Sequence, residues 1–250
     1  MSFKPKIVSV MCNFVFCQNS EEIASKTDAT RINCIGMIDP VSIIEIMRNC
    51  VEGVMLFGCK PPDCHYVEGN LQAERTVKML QKLLSLIELE PERIELNWIS
   101  PMGDRTYDSY ERHFSDKITS LATYPMAARK GEAKFEEDML AAKRVASDFR
   151  LRTMLGIERK TVDYENVYGE KISSEQFDDL LDEVVSAEFV RCKIRNLLEK
   201  ESLSVKDMSK HLNLAPQEVL RHIVTLRHKG IVAVERVEGT TPIYASLETN

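Results

Sequence analysis

The sequence predicts an α/β protein in three parts: a parallel-sheet domain over residues 1–125, a helical connector over 126–185 and a small helix-and-hairpin domain over 186–250. Three observations predict it. Short β-branched runs alternate with helix-period segments up to about residue 125, the pattern of a parallel sheet covered by helices. Beyond that point the chain turns charged and helix-prone, and its last 65 residues change again, closing on two strand-like runs around Glu238-Gly239-Thr240. With 250 residues, 44% of them hydrophobic, the chain has enough apolar material for real cores.

In order, Lys6 to Met11 reads as a first strand, Thr30 to Asn33 as a second, Gly53 to Phe57 as a third and Arg93 to Trp98 as a fourth. Between them, Val41 to Cys50 is apolar all round, and Asp39-Pro40 supplies a cap followed by a first-turn proline. Leu71, Ala73, Val77, Leu80, Leu84 and Ile87 recur at helical spacing and mark a long amphipathic helix. The sum is half of a doubly wound unit, an open flavodoxin- or Rossmann-like sheet.

In the connector, Glu132 to Leu155 and Ser173 to Val185 are helical, and Ser173-Ser174-Glu175-Gln176 has the form of a capping box. The 14 basic and 16 acidic residues of 126–200 read as a solvated face. A helix through Phe189, Ile194, Leu197 and Leu198 opens the last part, with Cys192 packed in it. A short helix around Ser204 to Leu212, a turn at Asn213-Leu214, a helix from Ala215 to Lys229 and a hairpin from Ile231 to Leu247 follow. That order and those lengths resemble a winged helix-turn-helix domain.

Charge excludes some functions. Lys and Arg number 33 against 39 Asp and Glu, giving a net charge of −6 and a pI near 5.5, so no global field holds nucleic acid or an anionic membrane. No apolar run approaches the length of a membrane span, and the N-terminus lacks the apolar core of a signal peptide. The expectation is a cytoplasmic protein with reduced thiols. Its seven cysteines are unevenly spread: Cys12, Cys17, Cys34, Cys50, Cys59 and Cys64 lie in the first 64 residues and Cys192 stands alone. A buried thiol explains any one of them, but a metal site better explains the cluster.

On the strand boundaries above, Cys12, Cys34 and Cys59 each follow a strand directly, so three parallel strands deliver thiols to the carboxyl edge where open sheets place ligands. Cys12/Cys17 and Cys59/Cys64 have the spacing C-x4-C, short enough for two thiolates to converge on one metal. Zinc prefers closed tetrahedral sites in modules that need it to fold, whereas this domain has its own core; a two-iron cluster suits ligands from the rim of a rigid sheet. A four-iron cluster stays open, although the run C-x2-C-x2-C is absent.

The segment Gly58 to Arg75 reads G-C-K-P-P-D-C-H-Y-V-E-G-N-L-Q-A-E-R. It closely resembles the signature of the delta (iron-sulfur) subunit of methyl-viologen-reducing hydrogenase, the MvhD family associated with heterodisulfide reductase. Arg31 to Pro40 and the stretch Glu92-Arg93 to Trp98-Ile99-Ser100 resemble that family's motifs too, so the likeness covers about residues 5–120. The resemblance implies a [2Fe-2S] subunit without a substrate pocket. It passes electrons from a partner oxidoreductase (a hydrogenase, formate dehydrogenase, pyridine-nucleotide or folate oxidoreductase) to a flavin-containing HdrA-type subunit of an electron-bifurcating complex. Cys12, Cys34, Cys59 and Cys64 are then the first-choice ligands. The family's first motif, C-N-W-C, departs here to Cys12-Asn13-Phe14-Val15-Phe16-Cys17, which leaves Cys17 as a displaced fifth candidate or a bystander.

The neighbours have plainer readings. His65 hydrogen-bonds near the cluster instead of ligating, since a Rieske site needs a second histidine. Pro61 and Pro62 stiffen the loop, Gly58 and Gly69 allow close backbone approach, Cys50 is core, and Asp39 is a cap. Dinucleotide, P-loop, zincin and nucleophile-elbow motifs are absent. The alternative from another class is an iron-sulfur-sensing winged-helix regulator. Residues 203–250 hold six Lys and Arg against five Asp and Glu, too balanced for DNA, and favour a docking module.

Overall fold

The computed structural model describes residues 5–15, 29–99, 106–121 and 126–247. Strands β1 (Ile7–Cys12), β2 (Ala29–Ile32), β3 (Gly53–Cys59) and β4 (Ile94–Ile99) form one parallel sheet in the order β2-β1-β3-β4. All four are the strands read from the β-branched runs. The central strand β3 runs two residues further than that reading, because β4 pairs with it as far as Cys59 opposite Ile99. Cys12 and Cys59 are therefore the last residues of their strands and not the first residues beyond them, while Cys34 lies two residues past β2.

Helix α1 (Pro40–Arg48) starts as its sequence dictates, with the Asp39 carboxylate accepting the Ser42 N–H at 3.2 Å and Pro40 in the first turn. It stops short of Cys50. The Asn49 side chain donates to the Glu45 carbonyl and Cys50 turns into the left-handed region at φ 62°, so Cys50 is a half-buried residue of a helix exit and not helical core. Helix α2 (Gly69–Leu86) buries Ala73, Val77, Leu80 and Leu84, the apolar stripe of the sequence. Helix α3 (Tyr107–Leu121) packs where Gly53 has no side chain: a Cβ there would stand 2.7 Å from the Phe114 ring. The Tyr107 and Ser9 hydroxyls share a buried hydrogen bond of 2.8 Å that ties α3 to β1.

After the short α4 (Met126–Arg129) come α5 (Ala133–Ser147), α6 (Phe149–Asp163) and α7 (Ser174–Leu198). The charges that read as a solvated face do lie at the surface, and several of them pair with the sheet domain. Glu136 meets Arg48 at 2.8 Å, Arg152 meets Asp39 at 3.4 Å, and Asp178 and Asp182 meet Lys78 and Lys82 at 2.9 Å each. Beneath these pairs Phe135, Met139, Val145, Leu151, Phe177, Leu181 and Val185 join the same core as β1, β3, α1 and α2. The connector is a packed helical layer.

Helix α7 opens with the capping box, Ser173 and Gln176 each bonding the other's backbone N–H. It then runs unbroken across residues 185 and 186. Its Phe189 still belongs to the first core, whereas Ile194 and Leu198 enter a second core with Leu203, Met208, Val219, Ile223, Leu226, Val232 and Tyr244. That core is closed by β5 (Leu203–Ser204), α8 (Val205–Leu212), α9 (Pro216–His228), β6 (Val232–Glu238) and β7 (Thr241–Ser246), the strands in the order β5-β7-β6. Asn213 adopts φ 53° at the end of α8, a conformation asparagine tolerates well. Cys192 packs against the first core instead of the second, and burial pushes its thiol up to about 12.

Candidate metal centre

The sheet order means that the chain leaves β1 to one side and β3 to the other. The carboxyl ends of those two strands flank the crevice in which open α/β sheets hold ligands. Cys12 and Cys59 end these strands, and their sulfurs lie 4.0 Å apart, 1% and 8% exposed. Cys34 follows β2 and opens a single 3-10 turn, Ile35–Met37. Cys64 lies in the loop between β3 and α2, which contains a cis peptide at Pro61-Pro62. The Cys34 and Cys64 sulfurs both lie against Gly69, the first residue of α2. A Cβ at Gly69 would stand 2.2 Å from the Cys34 sulfur and 3.2 Å from that of Cys64. A Cβ at Gly36 would stand 2.4 Å from the Gly69 carbonyl oxygen. Two glycines thus let the 3-10 turn and the start of α2 touch, and this brings the second thiol pair together.

Electrostatics couple the pairs. Burial pushes the Cys59 thiol up to about 11, with the neighbouring Cys12 and Cys64 sulfurs adding to the rise and the His65 backbone N–H opposing it. Cys34 is likewise raised by burial and by Cys64 and Cys12, and lowered by the Gly36 N–H. A cation that deprotonates such thiols gains a set of four sulfur donors. Among the described residues no three His, Cys, Asp or Glu side chains converge on one point as a single ion requires. Two thiol pairs fit a two-iron centre better, because each of its irons takes two thiolates.

The surroundings hold these sulfurs in place. Asn70, 1% exposed, donates through Nδ2 to the Cys59 carbonyl at 3.3 Å. The His65 ring stacks on Phe14 with centroids 3.7 Å apart and joins the loop after β1 to the Cys64 loop. His65 therefore serves the site through its backbone N–H toward Cys59, in line with the hydrogen bonding near the cluster expected from the sequence, and through its stacked face, which the sequence did not indicate. Val15, at the family's second cysteine position, is buried in the core and donates its N–H to the Cys12 carbonyl. Cys17 lies outside the described residues.

With this arrangement in view, the comparisons with known proteins point one way. The family model for the delta subunit of methyl-viologen-reducing hydrogenase matches residues 15–122. The iron-sulfur subunit of an F420-non-reducing hydrogenase from Archaeoglobus profundus is 38% identical over 129 residues, 49% of this chain and 94% of that protein. The chain belongs to this delta-subunit family. The corresponding vhc iron-sulfur subunit of Methanococcus voltae is 28% identical over 143 residues, 54% of this chain and 98% of its own. The A-type subunit of the ferredoxin:CoB-CoM heterodisulfide reductase from Methanosarcina mazei is 29% identical over 129 residues, 47% of this chain but 15% of that larger protein. The family model's match takes in β2 to α3 of the sheet domain, and the helices from α4 onward lie beyond it. Among the described residues no helix is long and apolar enough to cross a membrane.

Proposed function

We propose that this delta-family chain is an electron-transfer subunit in which Cys12, Cys34, Cys59 and Cys64 hold one [2Fe-2S] cluster, relaying electrons between a partner oxidoreductase and an HdrA-type flavoprotein in a bifurcating complex. The observation that carries the reading is the pairing of the thiols, Cys12 with Cys59 and Cys34 with Cys64, at the carboxyl edge of the sheet. The cluster supplies a one-electron store there when bound. The chain's own residues release their thiol protons on assembly, keep the strand-end sulfurs out of water and fix the loops through Asn70 and the Phe14–His65 stack. No residue acts on a substrate.

A heterodisulfide reductase component that contains a stretch similar to this domain supports a neighbour of that type. Exposed Phe14, Met37, Tyr66 and Val67 on the ligand loops suit a protein partner at this edge. The helix, turn, helix and hairpin after residue 198 support a winged-helix reading of the C-terminal unit, used for docking in the assembly. The test is chemical. Anaerobically purified protein is expected to contain about two iron and two sulfide per chain, with a reducible paramagnetic signal lost in Cys59→Ser. Zinc without acid-labile sulfide would reject the proposal.

A further inference from the structure

The two thiol pairs occupy unequal surroundings. The Cys12 sulfur lies 3.4 Å from the Asn33 carbonyl oxygen, to which its thiol donates. Once Cys12 is a thiolate that proton is gone, and the negative end of the carbonyl dipole faces the sulfur. Cys12 and its partner Cys59 are also sealed from solvent. On the other side, Cys34 and Cys64 meet at the first residue of the 18-residue helix α2, whose N-cap Glu68 offers no side-chain cap; Cys34 is as buried as Cys12, and Cys64 alone of the four is half-exposed. The positive end of α2 therefore faces this pair without a capping carboxylate. Glu68 itself is drawn off to Arg159, at 2.6 Å.

Resting on the proposed function, we infer that the iron held by Cys34 and Cys64 is the one that takes the electron, with Gly36 and Gly69 as the positioning residues that bring this pair to the start of α2. One electron from the donor converts one ferric iron to ferrous while the other stays ferric, and no bond forms or breaks. The added negative charge settles where helix dipole and solvent favour it and away from the Asn33 carbonyl at Cys12. The same asymmetry puts the reduced iron on the exposed side, toward the Cys64 loop.

Proton NMR of the dithionite-reduced full chain tests this. In a coupled ferric–ferrous pair, the cysteine β-protons on the ferrous iron shift outward on warming while those on the ferric iron move inward. Gly69 abuts Cys34 and Cys64, so Overhauser contacts to its Cα protons identify that pair. The expected result is outward movement on warming for the Gly69-linked set. Inward movement in a protein carrying two iron and two sulfide would overturn this inference and leave the cluster reading intact, whereas absent iron and sulfide would overturn both. As a second measurement, Gly69→Ala is expected to retain iron and lower the midpoint potential, because its Cβ must displace the Cys34 sulfur from the helix end. Gly156→Ala, where a Cβ meets nothing within 4 Å, serves as control and leaves the potential unchanged. Equal potentials for Gly69→Ala and the control, with clusters intact, would remove the positioning role.

Discussion

At the scale of single residues, the site is a contest between placing sulfurs and keeping the backbone relaxed. Val67, in the Cys64 loop, adopts φ 66° although it is β-branched, and its side chain is 75% exposed. That backbone costs a branched residue roughly 1–2 kcal/mol, of which glycine's greater unfolded-state freedom would return about half. Val67→Gly is expected to raise stability by about 0.5–1 kcal/mol in denaturant melts while retaining iron. Cys17 bears on the same site from the other direction. Four thiols already form two pairs and Val15 is buried in the family's second cysteine position, so Cys17→Ser is expected to leave iron content and the paramagnetic spectrum unchanged. Loss of iron in that variant would make Cys17 a ligand. That Cys12, Cys59 and Cys64 come to one edge was legible in the sequence, because strand patterning sends Cys12 and Cys59 there and a short loop carries Cys64. The Asn33 carbonyl beside Cys12, Gly36 as the partner in the close approach expected at Gly69, and the His65 N–H were not. Each is a backbone group whose position depends on how two distant segments meet.

At the scale of elements, polar residues hidden inside the fold decide how helices are held to the sheet. Arg93, 1% exposed at the entry to β4, donates to the Glu52 carbonyl at 2.9 Å and to its carboxylate at 3.0 Å. The other Glu52 oxygen accepts the Met126 N–H at 2.9 Å, so one buried carboxylate joins the starts of β3, β4 and α4. Arg93 also pairs with Glu90 at 2.7 Å, so it keeps a partner in Glu52→Gln. Arg93→Met instead leaves the buried Glu52 carboxylate without its cation and is expected to cost about 3–5 kcal/mol, read as a lowered denaturation midpoint, with Glu52→Gln costing less. Nothing in the local sequence announces this, since Glu and Arg beside a strand ordinarily face water. The connector's docking onto the sheet was not legible either: composition counts its surface charges but not the lysines and arginines on α1 and α2 that face them. A further group of this kind lies at the end of α7. Burial pushes the Glu199 carboxyl up, but Arg144 and Arg195 outweigh it and hold the group below its ordinary 4.5. A depressed carboxyl contributes stability that is fully present above pH 4.5 and fades as pH falls through the lower folded value. Glu199→Gln is therefore expected to be less stable than the parent at pH 7, with the gap narrowing in melts below about pH 4.

At the scale of the whole molecule, α7 is the member shared by both cores, and its position sets what the C-terminal unit can do. Phe189 and the residues before it belong with the sheet, and Ile194 and Leu198 with the terminal helices. The Glu188 carboxylate also reaches across to Lys229 at 2.9 Å. A chain cut after residue 185 loses Phe189 from the first core, whereas one cut after residue 200 keeps all of α7. The longer truncation is expected to fold and retain its cluster spectrum, and the shorter one to be less stable. On the proposed docking role, the full chain is expected to bind duplex DNA only weakly. Nonspecific affinity comes from counterions released by several Lys and Arg contacts, and six basic against five acidic residues over 203–250 supply little surplus. Arg236 is already engaged by Glu235 and Glu238 on the hairpin, and the outward side of α9 carries exposed Leu220 and Val224. Those features favour a protein surface over a phosphate backbone, and a duplex Kd no tighter than roughly 10⁻⁴ M at physiological salt follows, measurable by fluorescence anisotropy. The truncation after residue 200 is then expected to keep its cluster and lose assembly with partner subunits in pull-downs from native lysate. Sequence-selective duplex binding in the submicromolar range, or assembly undiminished by the truncation, would instead favour the iron-sulfur-sensing regulator.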